Sequence, residues 1–198
     1  IPGRYGNLSA LDQTREEAIL TMRLATRVQR VQPSPTLTVT ALANRLRAAG
    51  RDVISLAAGE PDFETPEPIQ QAAVTALKQG QTRYTAVGGT TELKQAVVDK
   101  FARENGLHYT PEQILVSCGA KHSCYNLCQA LLDPGDQVVI PAPYWVSYPD
   151  MVRLADGEPV FIQADQTQGF KITPAQLEAA ITERTRLLFL NSPNNPSG

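Results

Sequence analysis

Apolar positions along this chain fall into short blocks that alternate between two periods. Residues 36–49 carry Val39, Leu42, Ala43, Leu46 and Ala49 at helical spacing, with Gly50 as the stop. Residues 53–56 read as a short strand. Thr65 followed by Pro66 predicts an N-cap with proline at the first helical position. Ile69, Ala72, Ala73, Ala76 and Leu77 then form an apolar face that Gly80 closes. Leu93, Val97 and Phe101 recur every fourth residue, and Gly106 ends that helix.

From Ile114 the alternation tightens. Residues 114–116 predict a strand, and residues 120–132 a helix ended by Asp133, Pro134 and Gly135. A strand over 137–140, a helix over 146–155 and a strand over 159–162 follow. Thr173-Pro-Ala-Gln176 is a capping box with proline at N1, opening a helix through Ile181. Residues 186–190 form the last strand, buried by its composition. Short apolar strands separated by helices predict an α/β fold, with a mostly parallel sheet covered by helices on both faces. No internal repeat or low-complexity linker interrupts it. The regular alternation begins after the first helix and strand, which predicts a change of domain near residues 63–66. Residues 1–21 are polar and lack periodicity. They predict a disordered tail, or a segment preceding a start at Met22.

Composition narrows the class. The 198 residues are 42% hydrophobic and 19% charged, with a net charge of −2. That describes a globular protein of one sizeable domain or two small ones. The near-neutral balance gives no electrostatic case for nucleic acid or an acidic membrane surface. No apolar run reaches the length of a membrane span, and no secretory signal stands at the start, so a cytoplasmic location is expected. Cys118, Cys124 and Cys128 form no Cys-x-x-Cys pair. Cys124 and Cys128 share a helix face but supply too few ligands for zinc. All three are expected to be small buried residues in a reducing compartment. His108 and His122 have no matching ligand cluster, so no metal is expected.

Three motifs stand at the ends of predicted strands, where open α/β sheets present ligand-binding groups. Ser117-Cys-Gly-Ala-Lys121 joins a strand directly to a helix. Its small residues allow backbone amides to approach an anion at the positive helix end. Lys121 lies in the first helical turn, where a cation opposes the helix dipole unless an anion binds or the side chain turns to solvent. A plain tight turn is the competing reading, and the segment is neither a dinucleotide fingerprint nor a P-loop. Pro141-Ala-Pro-Tyr-Trp145 carries the only tryptophan, which can stack on a planar heteroaromatic ligand or pack in the core. Asn194-Asn-Pro196 offers amides to an oxygen anion, or simply builds a turn. Elsewhere, Gly59 permits close backbone approach in the loop that holds Glu60 and Asp62, a carboxylate pair best read as solvated. Tyr84 offers a phenol on a loop before Gly88 and Gly89.

Taken together these motifs resemble the class I aminotransferases. The matching stretches are Ala58-Gly-Glu-Pro-Asp-Phe63, Tyr84-Thr85, Ser117-Cys-Gly-Ala-Lys121, Pro143-Tyr-Trp-Val-Ser-Tyr148 and Asn191-Ser-Pro-Asn-Asn-Pro-Ser-Gly198. The similarity is to fold-type I enzymes that use pyridoxal 5'-phosphate (PLP), in the bacterial aspartate and aspartate/prephenate aminotransferase subgroup. It runs from about Leu24 to the end and covers the N-terminal half of such an enzyme. The resemblance implies that the backbone of Gly119, Ala120 and Lys121 holds the PLP phosphate and that Trp145 stacks on the pyridine ring and meets the substrate. It implies that Asn195 bonds the ring O3' oxygen and orients the substrate carboxylate, which the Gly59 amide also approaches. Thr36 joins the substrate site by the same pattern. Tyr84 would reach the phosphate of a neighbouring subunit, which makes the active unit a homodimer. Residues 22–65 then belong to the small domain and residues 66–198 to an incomplete PLP-binding large domain.

The implied reaction is transamination between an amino acid, aspartate or glutamate, and a 2-oxo acid, with PLP as the electron sink. The resemblance also implies that the Schiff-base lysine, the pyridine-nitrogen Asp and the α-carboxylate Arg lie beyond position 198. Neither Lys121 nor Lys171 matches the lysine, so these residues alone are expected to be inactive. Gln32 precedes Pro33-Ser34 where prephenate-using relatives often carry Lys, while Thr36 and Lys121 fit their pattern. Prephenate therefore stays open as acceptor. A C–S lyase or ring-forming synthase of the same fold would share the motifs, and a non-catalytic regulator half is a further alternative. A nicotinamide-binding domain is disfavoured by the missing glycine fingerprint.

Overall fold

A computed structural model describes residues 23–198. The tail or alternative start expected for residues 1–21 lies outside the described residues. Near the start of the described chain, α1 (Thr26–Gln29) and α2 (Pro35–Ala48) flank the Pro33 linker. Proline opens α2, where its missing N–H costs nothing, and only Ala43 of this helix is buried. Next comes α3 (Glu67–Lys78), which starts slightly later than expected. Its cap position is Pro66, and Thr65 makes no side-chain capping bond. In α4 (Thr91–Lys100) the Thr90 hydroxyl accepts the Leu93 amide at 3.3 Å, and a wide turn over Phe101–Asn105 carries the chain to Gly106.

The remaining elements alternate as α5 (Gly119–Leu131), β1 (Gln137–Ala142), α6 (Ser147–Leu154), β2 (Glu158–Gln163), α7 (Pro174–Ala180) and β3 (Thr185–Leu188). The capping box of α7 forms as the sequence predicts. The Thr173 amide donates to Gln176 Oε1 at 2.9 Å, and the Gln176 amide donates to the Thr173 hydroxyl at 3.2 Å.

The described strands form a parallel sheet in the order β2-β1-β3. β1 and β2 pair from Gln137 opposite Glu158 to Ala142 opposite Gln163. The β1–β3 register shifts between Gln137 and Val138. Central β1 is an apolar run, as a strand buried on both faces requires. Val138, Val139 and Ile140 are all fully buried. Val138 and Ile140 meet Cys128 and Leu132 of the α5 region and Met151, Val152 and Ala155 of the α6 region. Val139 points to the opposite face, and α7 packs on the sheet through β2. At the far end from the strand tips, the buried Gln137 is held by polar bonds. The Thr182 hydroxyl donates to Gln137 Oε1 at 2.7 Å, and the Gln137 amide donates to the Arg184 carbonyl at 2.8 Å. Among the described residues no buried side-chain polar atom lacks a partner.

Two expected strands do not form. Residues 53–56 pair with no described strand, and Ile54 and Leu56 are 87% and 93% exposed. Residues 114–116 join no ladder among the described residues: the Ile114 amide donates to the Pro111 carbonyl at 3.2 Å and the Val116 amide to the Gly88 carbonyl at 3.0 Å. A strand exists only where a neighbour completes its ladder, and local sequence does not supply that neighbour. The third correction concerns burial. β3 ends at Leu188, and Leu190, expected inside a buried strand, is 73% exposed.

Candidate functional site

The turn into α5 is built from its backbone. Gly119 has φ +82°, a left-handed conformation that favours glycine, and a Cβ there would meet nothing within 4 Å. Conformation, not crowding, therefore selects glycine. The Gly119 amide donates to the Ser117 carbonyl at 2.8 Å, and the Cys118 amide donates to His122 Nδ1 at 3.1 Å. Cys118, the N-cap residue, makes no side-chain capping bond. Among the described residues, no side chain caps the amides of Ala120 and Lys121. They point along the positive end of the α5 dipole.

Lys121 reaches from this turn to the tip of the next strand. Its Nζ lies 4.9 Å from the centre of the Trp145 ring, within cation–π range. Its ammonium forms no salt bridge among the described residues. Trp145 is half-buried and packs edge-on against Tyr148, with centroids 5.4 Å apart. Tyr148 stacks on Phe189 at 4.6 Å, so a row of rings runs from Trp145 to the exit of β3. Burial raises the Tyr148 phenol, with the neighbouring Cys124 adding to it.

The third loop is tied to the second by an amide. Asn194 Nδ2 donates to the Pro143 carbonyl at 2.9 Å and to the Ser197 hydroxyl at 2.7 Å. The Gly198 amide returns to the Asn194 carbonyl at 2.9 Å. Asn195 beside it is exposed. The Ala142–Pro143, Ser192–Pro193 and Asn195–Pro196 peptide bonds in these loops are cis.

The structure thus brings Lys121 of the α5 turn to Trp145 and ties the Trp145 loop to the Asn195 loop. It does not bring the other candidates in. Thr36 is half-buried in the first turn of α2, Gly59 is exposed, and Tyr84 is fully exposed. Among the described residues no hydrogen bond, ion pair or ring contact joins these three to the strand-tip cluster. Glu60 and Asp62 are exposed, as solvated loop carboxylates are.

Two cavities flank the cluster. One of about 330 Å³ is lined by Tyr144, Tyr148, Lys171, Phe189 and Asn194. Another of about 260 Å³ lies between α5 and α6, with Lys121, Tyr125, Asp150 and Leu154 on its walls. Neither Gly119 nor Trp145 lines either of these cavities.

The cysteines divide. Burial pushes the Cys128 thiol up to about 11 and raises that of Cys124. Cys118 is exposed, which corrects the expectation that all three are buried. No group of metal-ligating side chains occurs among the described residues, and no described helix is long and apolar enough to cross a membrane. Sequence reasoning did not separate Asn194 from Asn195, and it gave His122 no role. Asn194 was hidden because adjacent Asn residues look alike until one amide finds a carbonyl. His122 was passed over as an isolated histidine, although its place one turn after a small-residue segment was a usable signal.

Comparison with known proteins identifies the family. Residues 51–198 match the family described as aminotransferase class I and II. An aspartate/prephenate aminotransferase of Nitrosomonas europaea is 60% identical over 177 residues, which is 89% of this chain and 45% of that protein. An aspartate aminotransferase of Geobacillus stearothermophilus is 53% identical, with the same shares covered. Among solved structures, the aspartate aminotransferase from Rhizobium meliloti superposes with a TM-score of 0.85 at 50% identity, covering 88% of this chain and 44% of that one. The Thermus thermophilus enzyme solved with maleate gives 0.84 at 50% identity, over 88% and 46%. The chain spans about half the length of the curated relatives it matches. Its parallel sheet with helices on both faces is that of the fold-type I enzymes. With a family match over residues 51–198, and relatives of 53% and 60% identity along 89% of its length, the chain belongs to the class I and II aminotransferases.

Proposed function

We propose that the full-length protein is a PLP-dependent aminotransferase that exchanges the amino group of aspartate or glutamate with a 2-oxo acid. The juxtaposition of Lys121 and Trp145 carries this reading: an anion-seeking helix start and an aromatic face meet at one corner. The donor set fits the coenzyme. The uncapped Ala120 and Lys121 amides suit a phosphate, the indole suits a pyridine ring, and Gly119 makes the turn that aims the amides.

When bound, the coenzyme supplies an aldehyde and an electron sink for the Cα electrons. The residues of this chain bind and orient. Asn195 would donate its amide to the ring O3' oxygen and steer the substrate carboxylate, while Asn194 holds the loop. The Lys121 ammonium adds positive charge beside Trp145, which favours anionic substrates. Gly59 and Thr36 complete the substrate site from the N-terminal part, residues 22–65, against the coenzyme-binding part, residues 66–198. The fully exposed Tyr84 extends to the phosphate of a second subunit in a homodimer. The enzyme works in the cytoplasm.

Maleate, carried by the Thermus structure, is a four-carbon dicarboxylate like aspartate and supports a dicarboxylic substrate. Relatives named for both aspartate and prephenate support prephenate as a second acceptor. The test is amino transfer by the full-length protein from aspartate to 2-oxoglutarate and, separately, from glutamate to prephenate. Absence of PLP-dependent transfer with either acceptor would sink the proposal.

A further inference from the structure

We infer that His122 is a positioning residue for the anion-binding turn, supplying a neutral acceptor where a helix start often uses a carboxylate. The inference rests on the reading of the α5 turn as a phosphate site. In a capping box the N3 side chain, Glu or Gln, reaches back to the amide of the N-cap residue. At α5 the N-cap is Cys118, and the group that reaches back to its amide is the imidazole of His122, one position further along, at 3.1 Å. The reciprocal half of the box is missing, since Cys118 caps no first-turn amide. The arrangement immobilises the N-cap while leaving the Ala120 and Lys121 amides uncapped. By contrast, the Thr173 box closes both ways, and its hydroxyl occupies the Gln176 amide.

Charge explains the choice of side chain. Because Nδ1 accepts an N–H, it carries no proton, so the imidazole is neutral with its hydrogen on Nε2. A glutamate in this role would favour the helix dipole but place a negative charge beside amides that must receive an anion. Helix stability and anion affinity therefore demand opposite charges here, and a neutral acceptor meets both.

The experiment uses the full-length protein with His122→Gln, His122→Ala and His122→Glu. Hydrogen exchange of the Cys118 amide reads the tie. PLP binding, with inorganic phosphate as competitor, reads the site by equilibrium dialysis. His122→Ala is expected to speed the exchange and weaken both ligands by about fivefold, the worth of one neutral hydrogen bond. His122→Gln restores both. His122→Glu restores protection from exchange yet binds PLP and phosphate about tenfold more weakly than His122→Gln. His122→Ala matching the parent in exchange and affinity overturns the inference, and so does His122→Glu binding as well as His122→Gln. If the parent protein itself fails to bind PLP, the reading of the site fails instead. The exchange measurement then still decides whether His122 holds Cys118.

Discussion

The side-chain amide of Asn194 donates to the carbonyl oxygen of Pro143 at 2.9 Å, joining loops 51 positions apart in the chain. This bond holds the loop that ends in Asn195 against the loop that carries Trp145. Adjacent asparagines thus have separate tasks. Asn194→Ala should lower the melting temperature of the full-length protein by a few degrees, reflecting about 1 kcal/mol for a neutral hydrogen bond. Asn195→Ala should leave melting in place and weaken PLP binding. Thermal melts and PLP titrations of both variants check this; equal melting losses would show that the tasks are not divided.

Trp145 is the only tryptophan of these 198 residues, and in the full-length protein the difference from Trp145→Phe isolates its emission. We expect PLP to quench it. Trp145→Phe keeps an aromatic face and should bind PLP nearly as well. Trp145→Ala should lose about 1 kcal/mol, roughly fivefold in Kd. Lys121→Met keeps the chain length but removes the ammonium held 4.9 Å from the ring, and should weaken competition by inorganic phosphate. Dialysis with PLP and phosphate measures each effect.

Gly89 supports the approach to the α5 turn from the other side. It has φ +105°, and a Cβ would fall 2.6 Å from Cγ2 of Val116. Gly89→Ala should destabilise the protein by about 2 kcal/mol or more, from backbone strain and overlap together. Adding Val116→Ala removes the Cγ2 clash but leaves Cβ at 2.8 Å and leaves the strain, so it should recover only part of the loss. Denaturant melts of the single and double variants decide it, and full recovery would mean that φ contributes nothing.

The thiols should react unequally. With Cys128 fully buried and pushed up to about 11, it stays protonated near neutral pH. Iodoacetamide should label the exposed Cys118 in the folded protein and spare Cys128. Peptide mapping by mass spectrometry reads this directly. The sign of the pH effect follows from the same burial. The unfolded chain releases the Cys128 proton at lower pH than the folded chain, so this group costs stability as pH rises through the ordinary thiol range toward 11. Cys128→Ala should flatten that part of the alkaline stability curve.

Much of the fold was legible because helices are local. The helix expected over 36–49 is Pro35–Ala48, and the Thr173 box closes as its spacing requires. Turns and caps were equally readable, since their bonds span few residues. Strand assignment held only where a neighbour was at hand. Residues 137–140 and 159–162 lie within β1 and β2, whereas residues 53–56 and 114–116 have the composition of strands and no ladder. The order Gly119, Trp145, Asn195 was equally visible as motifs, but not which amides stay uncapped.

By itself the sequence determined the family, the helices, and which residue types stand in each of the three loops. Those are properties of residue identity and short-range spacing. Tertiary structure alone decided that Lys121 lies over Trp145, that Asn194 rather than Asn195 ties the loops, and that His122 takes the Cys118 amide. The physical reason is the same throughout. A hydrogen bond or ring contact depends on distance and direction in space, and these arise only after β1 has drawn its neighbouring strands and helices around it.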